Sequence, residues 1–397
     1  MLSYEQALET LLADASLSSG SRMRVETLDP ALALGRVLVA PVCSTLAVPP
    51  ADNSAMDGYA LRVADLVPGA LLPVSQRVPA GSVPQALAAG TAARIFTGAP
   101  IPPGADCVVM QELCEAEGDA VRIAHQAKPG ENIRRAGEDI ACGAEIIPAG
   151  TRLAAAHLGL IASVGIASVE VVSRLRVAVF FTGDELVMPG RPLAAGQIYN
   201  SNRYVLLGLL GRLGCQVTDL GIVPDDLEAT RQALRQAAAG HDLVMTCGGV
   251  SVGEEDHVKA ALQAEGSLQT WKIAIKPGKP FALGRVGATP FIGLPGNPVS
   301  SFATFRMLAE PYVRRLQGET EVLPRAVSVR ADFAWPRATP LREFLRVRRN
   351  AAGGLDLFPK QGSGVLSSCA WADGLVSHPP GQVIQPGELV SYIPFND

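Results

Sequence analysis

A glycine-rich turn is the stretch of this sequence best suited to hold an anion. The apolar run at 242–247 predicts a strand, a helical pattern begins near His257, and glycines fill the turn between them. Glycines allow a close backbone approach and positive φ, and free N–H groups at a helix start favour a phosphate or another oxyanion. The candidate contacts in this turn are Gly248, Gly249, Ser251 and Gly253. A tight turn without any ligand explains the same residues equally well.

Carboxylates and lysines follow several of the other predicted strands. Thr182, Asp184 and Glu185 come directly after a buried strand predicted at 175–181. Ligands bind at the carboxyl ends of the strands in open α/β sheets, so we expect such side chains to meet there. The other candidates at this edge are Asp225, Asp226, Asp256, Lys276 and Lys279. Lysine binds phosphate as a point charge and carboxylates bind Mg²⁺, so the edge predicts a site for a phosphate and a divalent cation.

Each of three further polar clusters can be explained by a structural role as well as by a functional one. On chemistry alone, turn capping by Asp52 and Asp57 accounts for the segment 52–59 better than a ligand does. A solvated, salt-bridged loop accounts for the two arginines and two acids at 134–139. An exposed polar strand face fits the following arginines as well as an anion site does: Arg342, Arg346, Arg348 and Arg349.

Composition and charge exclude several classes of protein. The chain has 397 residues, of which 48% are hydrophobic, so it can bury full cores. Its length suggests roughly two to four domains. Its 34 basic and 38 acidic residues give a net charge of -4, which offers no case for binding nucleic acid or an anionic membrane. Its seven cysteines are scattered without a C-x-x-C pair, so neither a zinc site nor a disulfide framework is indicated.

The sequence predicts neither secretion nor a membrane span. Glu5 and Glu9 lie in the first amphipathic pattern, and no basic region precedes an apolar core there. The long apolar stretch at 153–172 is interrupted by His157 and is better explained by a helix that ends near Gly165, followed by a strand. We therefore expect a cytoplasmic protein.

The elements that must position these residues change along the chain. Residues 1–36 are predicted to be mainly helical, whereas residues 60–140 lack a helical pattern and predict a small β domain. From residue 174, strands and helices alternate, which predicts a doubly wound, parallel or mostly parallel sheet. Its strands are predicted at 175–181, 216–223, 242–247, 270–275, 281–284 and 291–294, and its helices at 202–213, 226–239, 257–265 and 298–316. Short strands after residue 318 predict a compact C-terminal β domain.

Eight motifs of this chain, taken in order, resemble those of one protein family. They are DNSAMDGY at 52–59, FTGAPIPPGAD at 96–106, IRRAGED at 133–139, TGDEL at 182–186, GQIYNSN at 196–202, GGVSVG at 248–253, KPGKP at 276–280 and LPGNPVS at 294–300. The family is that of the MoeA-type molybdopterin molybdenumtransferases, which includes the E domain of gephyrin. Chance is a poor explanation for ordered matches that cover nearly the whole chain. The chain departs from the family pattern in having Glu254 and Glu255 before Asp256.

The resemblance implies a multidomain fold of α/β and β domains in an elongated homodimer. The N-terminal domain, of mixed α+β type, is expected to be discontinuous, comprising residues 1–44 and 141–173 with a β insertion domain at 45–140. The doubly wound α/β domain at 174–318 is similar to the molybdopterin adenylyltransferases, so it is expected to bind the phosphate end of the pterin. Residues 319–397 are expected to form a small β-barrel-like domain.

The resemblance also implies a reaction, in which molybdate is inserted into adenylylated molybdopterin while Mg²⁺-dependent cleavage of the adenylate releases AMP. The catalytic acids carried over are Asp57, Asp139, Glu185, Asp225 and Asp256. Of these, Glu185 and Asp256 are expected to bind Mg²⁺. The cofactor-binding residues carried over are Thr97, Thr182, Gly248, Gly249, Ser251, Gly253, Lys272, Lys276, Lys279, Pro295 and Pro298. Molybdate contacts are expected from Lys279, Arg346 and either Ser367 or Ser368.

Two other functions compete with this one. A molybdopterin adenylyltransferase would act one step earlier and would need only the α/β domain, so the two β domains argue against it. A non-catalytic scaffold, like the receptor-anchoring gephyrin E domain, would not need the carboxylates. The implied partner is a second copy of the chain, which is expected to complete each active site with Asp57 and Thr97. Molybdopterin adenylyltransferase and molybdoenzyme-maturation proteins are candidate neighbours.

Overall fold

The computed structural model describes residues 1–19, 23–67, 69, 71–249 and 257–396, with the main chain alone at Thr270. A six-stranded sheet follows the order Gln216–Val223, Arg176–Thr182, Leu243–Cys247, Thr289–Leu294, Pro280–Val286 and Gly266–Lys272. The first four strands are parallel, and the last two join by antiparallel pairing. The mostly parallel sheet predicted from the sequence is therefore observed, with an antiparallel edge.

Helices cover both faces of this sheet, as a doubly wound fold requires. Successive side chains of a strand point to opposite faces. In Arg176–Thr182, Val177 and Phe181 belong to one core, whereas Ala178 and Phe180 belong to another. The first core is covered by Ser201–Arg212 and by residues 298–316, which comprise Pro298–Thr304, a π-helical turn at Phe305–Ala309 and Glu310–Leu316. The second core is covered by Leu227–Ala238 and His257–Glu265.

The first helix of the chain, Tyr4–Ser19, also packs on this sheet. Its apolar side chains share a core with residues 298–316. The prediction that helix continues to about residue 36 is wrong, because Val25–Leu28 is a strand that pairs with Val169–Val172. Val25–Leu28 carries alternating side chains that gain more from cross-strand pairing than from one further helical turn.

A small N-terminal domain is assembled from both sides of the insertion. Two antiparallel pairs join segments far apart in the chain, Val25–Leu28 with Val169–Val172 and Val42–Cys43 with Glu145–Ile147. The helix Ala155–Ser163 packs Ile161 into the same core. These pairs join residues on both sides of the insertion, whereas Tyr4–Ser19 packs with the α/β sheet.

The long apolar stretch at 153–172 is divided between two of these elements. Ala155–Ser163 is the helix and Val169–Val172 is the strand, as predicted from the sequence. Among the residues that the structure describes, no helix has the length and apolarity needed to cross a bilayer.

The insertion is a β domain, in agreement with its composition. Its strands follow the order Cys107–Met110, Gly58–Leu61, Ala92–Ile95, Leu71–Val78, Ala120–Ile123 and Cys114–Glu117. Within the described part of 45–140, the helical turns are the 3₁₀ segments Val63–Asp65 and Gln111–Leu113. Three loops meet at one end, where Asn53–Ser54 pairs with Ile133–Arg134 and Asn53 forms a bridge with Pro100.

The C-terminal domain is a curled sheet that includes a short strand of the α/β domain. Its order is Ile275–Lys276, Arg342–Arg349, Gly374–His378, Leu389–Pro394 and Val327–Arg330, with Leu355–Leu357 paired to Arg342–Arg349. Ala331 and Leu355 form a bridge, so the two ends of the curled sheet meet. The parallel pairing of Ile275–Lys276 with Arg342 and Glu343 fixes this domain against the α/β domain.

Candidate active site

A cleft of about 1050 Å³ lies where the parallel strands of the α/β sheet end. Residues 361–363 of the C-terminal domain close one side of it. The cleft brings together the following residues that the sequence analysis singled out: Thr182, Glu185, Asp225, Gly248, Gly249, Lys276, Lys279, Pro295 and Pro298. The convergence expected at the carboxyl edge of the sheet is therefore observed.

Three carboxylates at this edge, Asp184, Glu185 and Asp225, form what we call the acidic group. Asp184 and Asp225 each donate a backbone N–H to the carboxylate of the other at 3.3 Å. Gly183 has a φ of 141°, which favours glycine, and a Cβ there would displace the carboxylate of Glu185, whose nearest oxygen would lie 2.6 Å away. Burial raises the pKa of Asp225, and the charges of Asp184 and Glu185 raise it further. The negative charge of the acidic group is therefore not fully balanced, and a bound cation could balance it.

The glycine turn begins beside the end of the strand Arg176–Thr182. Gly248 and Gly249 have positive φ angles of 101° and 65°. A Cβ on Gly248 would lie 2.8 Å from the carbonyl oxygen of Thr182, and one on Gly249 would lie 2.4 Å from Val258 Cγ2. Only glycine permits this approach, which places the main chain of the turn on the cleft wall. Outside the described residues lie Ser251, Gly253, Glu254, Glu255 and Asp256.

The two lysines that line the cleft differ in their surroundings. Lys276 Nζ lies 2.9 Å from Oε1 of the buried Glu343. The other carboxylate oxygen of Glu343 accepts from Trp335 Nε1 at 2.7 Å. Lys279 is exposed and forms no ion pair with any carboxylate in the described parts of the chain. Lys279 is therefore available to an anion in the cleft.

A smaller cavity of about 260 Å³, the side pocket, adjoins the cleft and shares Lys276 with it. Arg346 lines the side pocket and is buried, which lowers its pKa to about 10. Its guanidinium donates to Ser368 Oγ at 3.2 Å and to the carbonyl oxygen of Phe344 at 3.0 Å. Arg346 has no carboxylate partner among the described residues, and its side chain stays charged at neutral pH. An anion in the side pocket would therefore offset the free-energy cost of burying this charge.

A separate cluster lies on the insertion domain, where its three loops meet. Asp57 accepts from the Thr97 N–H at 2.7 Å and from the Thr97 hydroxyl at 2.8 Å, and these bonds hold the pKa of Asp57 below its usual range. Asp52 forms an ion pair with Arg135 at 2.6 Å. This pair agrees with the interpretation of residues 134–139 as a salt-bridged loop. Asp139 is exposed, four residues further on. Of the described residues of the insertion, none lines the cleft.

Some of the residues carried over by the resemblance therefore lie outside the cleft. Lys272 is exposed at the end of Gly266–Lys272 and is not part of the cleft wall. Ser368 is fully buried and holds Arg346 from behind, while Ser367 is exposed. Asp57 and Thr97 are bonded to each other on the insertion, Asp139 is exposed on the same domain, and none of the three lines the cleft.

The cleft also contains side chains to which the sequence analysis assigned no role. Asn200, Asn202 and Cys247 line it. In a sequence, an asparagine before a helical pattern cannot be told from a helix cap, and Asn200 does cap the helix Ser201–Arg212. Glu343 was missed because no local pattern indicates that its strand pairs with Ile275–Lys276.

Known protein families match this chain in three successive segments. The MoeA N-terminal region (domain I and II) matches residues 2–165. The probable molybdopterin binding domain matches residues 178–315. The MoeA C-terminal region (domain IV) matches residues 328–395. The cleft thus lies in the second segment and takes one wall from the third.

Individual relatives match over most of their length. A molybdopterin molybdenumtransferase of Haemophilus influenzae is 43% identical over 323 residues, which cover 81% of this chain and 79% of that protein. One of Synechococcus elongatus is 36% identical over 96% of both chains. The crystal structure of the molybdopterin biosynthesis moeA protein of Pyrococcus horikoshii covers 100% of both chains with a TM-score of 0.84 and 28% identity.

We expect Asp225→Asn to stabilise the ligand-free chain at neutral pH. Because folding raises the pKa of Asp225, its protonated form is favoured in the folded state. That contribution is full below the unfolded pKa and is lost as the pH rises through the folded value. A neutral amide avoids this loss, so the variant should be more stable than the parent at pH 7, by less than about 1 kcal/mol because Asp225 is exposed and solvent screens the repulsion.

Thermal midpoints at pH 7 and about pH 3.5 test this expectation. The variant should melt above the parent at pH 7, and the difference should shrink at the lower pH. Asp226→Asn is the matched control, because asparagine keeps the helix cap to the Ala229 N–H and should leave the midpoint unchanged. A lower midpoint for Asp225→Asn at pH 7 would contradict repulsion within the acidic group.

Proposed function

Because this chain belongs to the molybdopterin molybdenumtransferase family, we propose that it inserts molybdate into adenylylated molybdopterin with release of AMP and with Mg²⁺ as cofactor. The observation that carries the proposal is a single cleft that is lined by Glu185 and Asp225 of the acidic group, by Gly248 and Gly249, and by Lys279, beside a cationic side pocket. Phosphoanhydride cleavage needs the first three features, and a tetrahedral oxyanion needs the last.

The bond to be broken is the phosphoanhydride between AMP and the phosphate of the pterin. Water forms a bond to one phosphorus and gives one proton to a base, the P–O bond of the anhydride breaks, and AMP and molybdopterin separate, with the second proton of the water left on one of the two phosphate monoesters, from which it can ionise. Asp225 is suited to be that base, since its raised pKa brings it closer to neutral pH than an ordinary aspartate. The main chain of Gly248 and Gly249 would hold the phosphates against the sheet edge.

Glu185 on the cleft wall fits a Mg²⁺ site, which leaves Asp225 to act as the base. Mg²⁺ is often held by one or two carboxylates together with phosphate oxygens of the substrate. A full set of protein ligands is therefore not required, and among the described residues no group of three or more acid, histidine or cysteine side chains could hold a metal ion. Bound there, Mg²⁺ would neutralise charge on the pyrophosphate. Asp256, the other expected ligand, lies outside the described residues.

The side pocket is the proposed molybdate site. Arg346 brings a buried positive charge to it, and Lys276 stands between it and the cleft. Lys279 lines the cleft and would contact the molybdate dianion from that side. Among the described residues, Lys279 has no carboxylate partner that would have to be displaced. Ser368 takes the role of holding Arg346 in place. Molybdate bound here would lie next to the substrate from which AMP is released.

We also propose that the chain acts as a homodimer with shared sites. Thr97 holds the carboxylate of Asp57 in place, yet neither residue is part of the cleft of its own subunit, and Asp139 on the same domain is also outside it. A twofold partner could bring an equivalent cluster to each cleft. Location in the cytoplasm and contacts with molybdopterin adenylyltransferase or molybdoenzyme-maturation proteins stay predictions.

Of the competing functions, adenylyl transfer from ATP to molybdopterin needs the α/β domain alone. It would leave the side pocket, which is built mainly by the C-terminal domain, without a role. A scaffold without activity would not need the mutually repelling acidic group. Supplying the chain with ATP and molybdopterin, and separately with adenylylated molybdopterin and molybdate, distinguishes the two enzymes by which mixture is converted.

Replacement of Glu185 tests the proposed Mg²⁺ site. Glu185→Ala should leave folding and dimerisation intact but reduce AMP release from adenylylated molybdopterin on the order of 100-fold, because a ligand of Mg²⁺ is lost. AMP is measured by chromatography over a range of Mg²⁺ concentrations. Glu321→Ala, which removes an exposed carboxylate outside the cleft, is the control. If Glu185→Ala released AMP at the wild-type rate, Glu185 would not be a ligand of the catalytic Mg²⁺.

Replacement of Lys279 tests the proposed oxyanion contact. Lys279→Ala should raise the molybdate concentration for half-maximal insertion by about tenfold, since one charge-assisted contact is lost, and should affect AMP release less. Lys279→Arg keeps the charge and should recover most of the affinity. Sulfate and tungstate should compete in both forms. If AMP release and molybdate insertion fall equally, Lys279 serves the phosphates of the substrate instead.

Mixed dimers test the shared site. Asp57→Ala and Glu185→Ala should each be inactive as homodimers, because each removes the same component from both sites. Their purified heterodimer contains one intact site and one doubly defective site, so it should recover up to about half of the wild-type activity. Both variants must first be shown to fold and dimerise. If their heterodimer then recovers no activity, Asp57 and Glu185 act in a site that belongs to one subunit.

A further inference from the structure

The side pocket is lined by more positive charge than the carboxylate of Glu343 balances. Its charged side chains are Lys276, Arg337, Glu343 and Arg346. Glu343 is paired with Lys276 Nζ at 2.9 Å and accepts from Trp335 Nε1 at 2.7 Å. Neither arginine forms an ion pair with a carboxylate in the described parts of the chain. Two positive charges therefore lack a counter-charge there, and the chemistry proposed above uses only that of Arg346.

Arg337 lies on a segment whose main chain is fixed on both sides of it. Trp335 forms a bridge with Ile384 through bonds of 2.8 and 2.9 Å, and the carbonyl oxygen of Thr339 accepts from the Gly381 N–H at 2.8 Å. Arg337 is exposed, and its guanidinium lies over the buried ring of Trp335, 5.5 Å from the ring centre. A guanidinium already stacked on an anchored ring gives up less conformational freedom on meeting an anion than a free side chain does.

Arg346, the other uncompensated charge, still has donors for an anion. Its Nε donates to Ser368 Oγ at 3.2 Å, its Nη1 to the carbonyl oxygen of Phe344 at 3.0 Å and its Nη2 to that of Gly362 at 3.3 Å. These three acceptors are uncharged, and a guanidinium has five N–H groups. The second N–H of each terminal nitrogen thus has no partner among the described residues. Phe344 and Gly362 line the side pocket, so these donors belong to its wall.

We propose that Arg337 is a specificity-determining residue of the side pocket, which selects doubly charged tetrahedral oxyanions over singly charged ones of the same shape. The volume of about 260 Å³ is many times the roughly 10–15 Å³ that admits one water molecule, so a partly hydrated oxyanion fits. The charge of the ion then sets its affinity, because the attraction between two ions grows with the product of their charges. This inference rests on the proposed function, which assigns the dianion molybdate to the side pocket.

Molybdate and perrhenate are the matched ligands for the test. Both are tetrahedral and nearly equal in size, but molybdate carries two negative charges and perrhenate one. Calorimetry on the full chain, without the pterin substrate, should show tighter binding of molybdate. Arg337→Gln should weaken perrhenate binding about fivefold and molybdate binding about 25-fold, because the lost charge acts on twice the ligand charge. The ratio of the two affinities should therefore fall about fivefold.

Two further variants control for the charge and the position of Arg337. Arg337→Lys keeps the charge and should keep most of the preference for molybdate. Arg348 also lies over an aromatic ring, 4.6 Å from the centre of Trp371, and has no carboxylate partner among the described residues, but it does not line the side pocket. Arg348→Gln removes a similar charge from the same domain and should leave the ratio unchanged. If it lowers the ratio as much as Arg337→Gln does, the net charge of the domain is responsible and the proposal is overturned.

The remaining outcomes also decide the question. If Arg337 only covers the Trp335 ring, Arg337→Gln will weaken both anions by the same factor or neither, and either result overturns the proposal. Equal binding of the two anions by the wild-type chain, or binding of neither, overturns it as well. Because binding is measured without turnover, a chain with the charge preference that releases no AMP would refute the proposed function and leave this inference standing. A chain that inserts molybdate although Arg337→Gln keeps the ratio would do the reverse.

Discussion

A buried carboxylate of the C-terminal domain, Glu343, holds the two halves of the cleft together. Its oxygens are taken up by Lys276 Nζ at 2.9 Å and Trp335 Nε1 at 2.7 Å, while its main chain pairs with Ile275–Lys276. A buried charge is costly unless it is paired and hydrogen-bonded. The C-terminal domain therefore cannot move away from Lys276 without leaving that charge unpaired, and the cleft and the side pocket keep a common wall.

The site contains charges that the described residues do not balance. Burial and two neighbouring carboxylates raise the pKa of Asp225, and burial without a carboxylate partner lowers that of Arg346. Such arrangements reduce the stability of the folded chain and are typical of sites that bind charged ligands. A divalent cation at the acidic group and an oxyanion beside Arg346 would correct the two imbalances separately. These charges fit the proposed reaction, in which a pyrophosphate, Mg²⁺ and molybdate would come together.

The expected catalytic acids fall into two groups that belong to different domains. Glu185 and Asp225 lie in the cleft, whereas Asp57 is held by Thr97 on the insertion, outside the cleft of its own subunit. The bonds to Thr97 lower the pKa of Asp57 and hold its carboxylate in place. A shared site in a twofold dimer reconciles this order with its distance from the cleft, and that arrangement stays a prediction.

Local patterns in the sequence determined most of the α/β sheet. The strand predicted at 216–223 is Gln216–Val223 and the helix predicted at 257–265 is His257–Glu265, because apolar periodicity and glycine turns are properties of neighbouring residues. The rule that ligands bind at the carboxyl edge then placed Glu185 and Lys279 in one cleft. Tertiary structure alone decided that Val25–Leu28 is a strand, that Ile275–Lys276 joins the sheet of another domain, and that Asn200 keeps a free amide. Each of these depends on a partner far away in the chain, and no local pattern records which distant segment will supply it.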